Sequence, residues 1–305
     1  MTQTAVSPRP AIAAPRARGL LGWWRNPWRR PRILASLTWA YLVWSIVPVL
    51  IAIMISFNAG RSNAEIQTFG FRWWVNDPDG GALFQDPDLR RAILQTYLLS
   101  FATMVIAVPI GVAFAIGIDR WRGRIAAGAN FLMLLTFVMP EIIIGISMLL
   151  VIQYAFTFIR LGTPAEIIGL TVYQISYPVI IVRARLLSID KEFEEAGMDL
   201  GASPGDSVRR VLLPMLYPAI FASAAIVFAD TVDDFVTVSY LAGPASSTPL
   251  SLYVYTQARA SATPAVNAAA SLMLVTTTIA VAIGYLIYKR LSRGQEAGVA
   301  AFGQL

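Results

Sequence analysis

Four carboxylates lie in stretches that are otherwise apolar: Glu141, and Asp230, Asp233 and Asp234 at i, i+3 and i+4. An ionised side chain near the centre of a membrane helix costs ~2.5 to 3.5 kcal/mol on insertion scales, so acids placed there point to a task. The chemistry they offer is electrostatic, since a carboxylate facing a polar path attracts a cation. Tyr154, Tyr173 and Tyr177 could add aromatic faces to the same path, or pack against neighbouring helices. Glu141 follows Pro140 about 13 residues into its segment, roughly 20 Å at helical rise, and is the leading solute contact. Asp230 comes next. On one continuous helix the three aspartates share a face, and Asp233 and Asp234 lie close to its far end, where solvated acids or an outer gate contact are equally open readings.

The missing residues narrow the chemistry further. The 305 residues include no cysteine and no histidine, which excludes disulfides, thiolate or imidazole metal sites, and triads built on either residue. No catalytic residues and no metal site stand out. A phosphate loop needs Gly, Lys and Ser or Thr in succession, whereas the two lysines, Lys191 and Lys289, follow Asp190 and Tyr288. The chain is therefore expected to bind no cofactor itself. If its work is driven by ATP, the nucleotide and its magnesium belong to another polypeptide.

The elements that position these acids follow from composition. With 56% hydrophobic and 14% charged residues and a mean hydropathy of +0.61, the chain reads as a polytopic membrane protein. Six segments, near 33–57, 92–118, 127–152, 166–188, 212–238 and 266–288, are long enough to cross a core that takes ~20 helical residues. The expected organisation is an N-terminal segment, 1–32, a membrane domain, 33–290, and a tail, 291–305. Residues 1–18 read as disordered. Leu20, Leu21, Trp23, Trp24 and Trp28 interleave with arginines, as in a short interfacial element or an aromatic belt.

Of the 24 basic residues, 18 fall on the side that holds both termini and the 188–214 loop, with Arg183 and Arg185 snorkelling at the inner end of the fourth span. That bias assigns the side to the cytoplasm and the chain to the plasma (inner) membrane. The net charge of +6 follows from the same loops and calls for lipid, not nucleic acid. On the opposite face, the long 58–91 loop carries turn signals, with Phe71, Trp73 and Trp74 placed to anchor it at the membrane surface.

The 188–214 loop has its own pattern. Asp190 is expected to cap a helix whose first turn carries Glu192, Glu194 and Glu195, acids placed at the positive end of the helix dipole. The helix should end at Gly201. A second start follows at Ser203, Pro204, Gly205 and Asp206, with Pro214 kinking the next span.

The run Glu195, Ala196, Gly197, three residues, Gly201, nine residues, then Val211, Leu212, Leu213, Pro214 resembles the EAA loop of ABC importer permeases. Asp199, Ala202 and Ser203 fit the same pattern. Gly197 stands where the second Ala is usual, at roughly 1 kcal/mol of helix propensity, which implies a helix leaning on its partner for order. From about Phe57 to Arg290 the chain looks like the spermidine and putrescine permease subfamily. Met139 to Ile142, Asp233 to Pro244 and Pro264 to Ala268 carry that likeness.

The resemblance implies an all-α membrane protein with the six transmembrane helices of the type I ABC importer permease fold and a cytoplasmic coupling helix. Glu194, Glu195, Ala196, Gly197, Asp199, Gly201, Ala202, Ser203 and Pro214 would couple it to the ATPase. It further implies two ATP-binding subunits, a second permease subunit, most simply a paralogue, and an external solute-binding protein. Permeases for thiamine, ferric iron or phosphonate share the layout. A secondary transporter or a membrane-embedded enzyme remain readings of other classes.

Overall fold

The computed structural model describes residues 32–62, 65–120, 123–260 and 263–302. The expected interfacial element at residues 20–30 lies outside the described residues. The chain divides into two units, 1–51 and 52–305, and α1 (Arg32–Ser56) begins in the first and ends in the second.

Proline decides where the apolar segments of the second unit break. After a short α2 (Arg72–Val75), α3 runs from Pro87 to Arg120 and carries Pro109 in its interior without interruption. Pro140 behaves differently. It separates α4 (Arg124–Val138) from α5 (Glu141–Tyr154), which diverge by 109°. Met139 and Pro140 are both extended, with ψ of 134° and 131°. The residue before a proline is pushed out of the helical region, and an acid directly after the ring is a helix-start combination. Pro109 is followed by apolar residues instead. The continuous third span expected over 127–152 is thus two helices, and Glu141 opens the second of them.

The fourth span comprises α6 (Thr163–Gln174) and α7 (Ser176–Leu186). Next come α8 (Glu192–Asp199) and α9 (Pro204–Ser207), a π-turn at Val208–Leu212, and α10 (Leu213–Asp233). The chain closes with α11 (Val236–Leu241), α12 (Leu250–Ala260) and α13 (Pro264–Phe302). Among the described residues, five helices are long and apolar enough to cross a membrane, and the bent α4 and α5 pair makes a sixth if it counts as one broken span.

Four clusters of buried apolar side chains lie among the described residues of the second unit, and two are the largest. In one, Ala107, Val112 and Ala115 of α3 meet Val179 and Val182 of α7 and Leu216 and Ala219 of α10. Lipid tails are as apolar as these side chains, so the helices associate through close packing, which small residues permit. In the other, Trp73, Leu83 and Leu89 meet Leu250, Ala265, Ala268 and Met273.

That second cluster corrects the reading of the 58–91 loop. Trp73 is core, donating its Nε1–H to the Gly60 carbonyl at 2.9 Å. Trp74 stacks on Phe57 and donates to the Ser56 carbonyl at 3.1 Å. Buried Asn58 ties the loop's start to Ser62, Glu65 and Gln67. These polar groups satisfy one another, so the loop folds as a cap, and of the three aromatic residues expected to anchor it Phe71 alone is exposed.

Candidate functional site

The 188–214 loop is built mainly from local bonds. No side chain caps α8, whose N-cap is Lys191, so Asp190 does not play that part; it offers only its backbone carbonyl, to Phe193. The three glutamates of the first turn suffice electrostatically. The helix closes at Gly201, where φ is +89° and the amide bonds to the Met198 carbonyl at 2.8 Å. Ser203 then starts α9, its hydroxyl accepting the Asp206 amide at 3.2 Å and donating to the Asp206 carboxylate at 2.7 Å. Pro214 does not kink the chain sharply. The backbone widens into the π-turn just before it, with the Leu213 amide reaching back to the Val208 carbonyl. A π-turn absorbs the register change that a ring without an N–H imposes.

The faces of α8 differ. Glu195, Ala196 and Asp199 are exposed, and so are Phe193 and, at 91%, Leu200. Glu194, expected to face a partner, is buried and paired with Arg120 at the end of α3. Gly197 faces the following turn. A Cβ there would lie 3.3 Å from the Ser207 hydroxyl and 3.4 Å from Val211, so the glycine lets α8 lie flush on its own chain. Ala202 is half-buried.

The acid site draws on five helices, α5, α6, α7, α10 and α11. Glu141 opens α5, where its charge favours the helix N-terminus, and its Oε1 accepts the Thr237 hydroxyl of α11 at 3.3 Å. Asp234 leaves the α10 helix with ψ of 116° and caps α11, its Oδ1 accepting the amides of Thr237 at 3.0 Å and Val238 at 3.4 Å. Its Oδ2 is buried without a hydrogen-bond partner, and Glu141 is its charged neighbour. Asp230 accepts the Gln174 amide of α6 at 2.8 Å. Tyr173 and Tyr177 meet edge to face at 6.1 Å, with both Glu141 and Asp230 near enough to act on them.

The three aspartates therefore do not share a face, because the helix ends between the second and third. Asp233 is exposed and outside the cluster, whereas Asp234 is only 7% exposed and inside it. Tyr154 does not join either; at the far end of α5 it is 80% exposed.

Glu166 was missed. Fully buried in α6, its Oε2 accepts the Gln95 amide of α3 at 2.7 Å, and Gln95 also donates to Thr163 at 2.8 Å. The rule that singled out Glu141, an acid within an apolar segment, applies to Glu166 equally. Its place at the start of a segment concealed it. Arg183 bonds the Asn130 side chain instead of snorkelling, while Arg185 is exposed.

The family model described as "Binding-protein-dependent transport system inner membrane component" matches residues 107–295. The putrescine transport system permease protein PotI of Escherichia coli (strain K12) is 28% identical over 279 residues, covering 89% of this chain and 93% of that protein. The spermidine/putrescine transport system permease protein PotC of the same strain is 28% identical over 261 residues, covering 86% and 94%. In fold, the chain is similar to one chain of a bacterial ABC transporter involved in the import of the acidic polysaccharide alginate, with a TM-score of 0.66 at 16% identity, covering 85% of this chain and 96% of that one. Matched over more than half its length, the chain belongs to the binding-protein-dependent transport system inner membrane components, as a multi-pass permease of an ABC importer and not an enzyme.

Proposed function

We propose that this permease moves a small cationic solute into the cytoplasm, and that the solute is a polyamine such as putrescine or spermidine. The observation that carries this reading is the convergence of Glu141 from the start of α5 with Asp230 and Asp234 from the end of α10, with Tyr173 and Tyr177 beside them. A protonated polyamine is a chain of ammonium groups joined by methylenes. Carboxylates answer the charges, and aromatic faces accept both the ammonium and the chain. The names of PotI and PotC, putrescine and spermidine/putrescine permeases, support the same choice.

Both termini and the 188–214 loop then face the cytoplasm, as the bias of basic residues favours. There Phe193, Glu195, Ala196, Asp199 and Leu200 offer an exposed surface to an ATPase subunit. The assembly comprises two ATP-binding subunits, two permease chains, the second a paralogue, and an external solute-binding protein. ATP and magnesium stay on the ATPase, whose closure would move the loop and switch the path between its outer and inner openings.

The test is uptake of labelled putrescine and spermidine in cells carrying Glu141→Gln with Asp230→Asn. A hydrogen bond to a charged group contributes about 1.5 to 3 kcal/mol, so two neutralised acids should lower uptake at limiting solute by a factor on the order of 100. Unchanged uptake of both polyamines would remove the acids from the path.

A further inference from the structure

We propose that Arg120 and Glu194 form the joint through which movement of α8 reaches α3. The proposal rests on the reading that the 188–214 loop meets the ATPase. Arg120 is the last residue of α3, and its guanidinium holds the Glu194 carboxylate with two donors: Nε to Oε2 at 3.3 Å, and the terminal nitrogen to Oε1. Asp119 also pairs with Arg120 and fixes its orientation. The ion pair spans 74 residues of sequence, and it is shielded, since Glu194 is buried. A two-pronged pair between planar groups resists rotation as well as separation.

Glu194 is held from a second side. Its backbone carbonyl accepts the hydroxyl of buried Ser207 at 3.0 Å. One residue thus fastens α8 both to α3 and to the turn that leads into α10. The loop is already continuous with α10 through the chain, so a push on α8 reaches Asp230 along that helix. It reaches α3 by way of Arg120. Residues Ala107, Val112 and Ala115 of α3 lie in the core with Val179 of α7 and Leu216 of α10. Moving α3, α7 and α10 together carries Tyr177 and Asp230 as one body. Without the joint, α10 would move and α3 would lag, and the motion would spend itself in the core contacts. Arg120 and Glu194 are positioning residues in this scheme and touch no solute.

The chain has no native cysteine, which permits a direct test in the complete importer reconstituted in proteoliposomes. The double variant Arg120→Cys with Glu194→Cys should keep basal ATP hydrolysis within about twofold. Its stimulation by the binding protein and its polyamine import should both fall to about one-tenth, within the usual range of coupling free energies. Linking the two thiols with a bifunctional reagent that spans an arginine–glutamate pair should restore both to at least about half. Near-normal import without the link, or a link that restores neither readout, overturns the joint. If the double variant fails to assemble, Glu194→Gln, which keeps the shape and loses the charge, should show the same split, and normal import by it sinks the proposal. A wild type that imports neither polyamine defeats the solute reading alone. The joint is then decided by whether the link restores stimulated hydrolysis.

Discussion

The 188–214 loop and the acid site are closed by bonds of different reach. In the loop, Gly201 bonds to Met198 and Ser203 to Asp206, three residues away in each case. In the acid site, Gln174 bonds to Asp230 across 56 residues and Thr237 to Glu141 across 96. Local closure costs little chain entropy and tolerates changes elsewhere in the fold, whereas a site assembled from distant segments exists only while the helices keep their places. Among the described residues, the pair of Arg120 with Glu194 ties the loop to a distant segment, across 74 residues. On the proposed reading, a solute site drawn from several helices can respond when those helices move, and a docking surface benefits from holding its own shape.

Substitutions can break this contrast, and the largest effect belongs at the long-range site. Asp234→Asn keeps a capping oxygen for α11 but removes the charge. Uptake at limiting solute should fall about tenfold or more, while protein yield and melting temperature hold. Asp234→Ala should lose uptake equally and also destabilise the protein by about 1 kcal/mol through the lost cap. If the two variants have the same melting temperature, the cap is not what holds Asp234 in place.

Within the loop the effects are smaller. Gly201→Ala meets no neighbouring atom, so its cost is that of the positive φ, about 1 to 2 kcal/mol, visible as faster amide exchange across 192–207. Ser203→Ala should cost about 1 kcal/mol, with faster exchange centred on Asp206. Gly197→Ala gains roughly 1 kcal/mol of helix propensity and loses part of it to crowding against Ser207, so import and hydrolysis should stay near wild type. Complete loss of the assembled importer in this variant would mean that α8 lies on its own turn more tightly than a methyl group allows.

Much of the loop was legible because its signals act within a few residues: Gly201 ends a helix and Ser203 starts one. Legibility failed there where a longer contact intervened. Glu194 looks like Glu195 in the sequence, and only the approach of Arg120 separates a buried clamp from an exposed acid. The acid site was legible as a set of residue types. Glu141 and Asp230 lie about the same tyrosine pair, but α5 carries Tyr154 to the opposite end from Glu141, and Glu166 stands at a segment start where the pattern of acids within apolar runs is weakest.

What the sequence determined by itself was the material of the protein: apolar segments long enough to span, a basic side, a self-capped loop, and acids too costly to bury without purpose. These follow from composition and from bonds between near neighbours. Which acids meet was decided by the tertiary structure, through the turn at Pro140, the end of α10 at Asp233 and the packing of α3 against α7 and α10. A carboxylate's partner depends on how distant helices pack, and no local pattern carries that information.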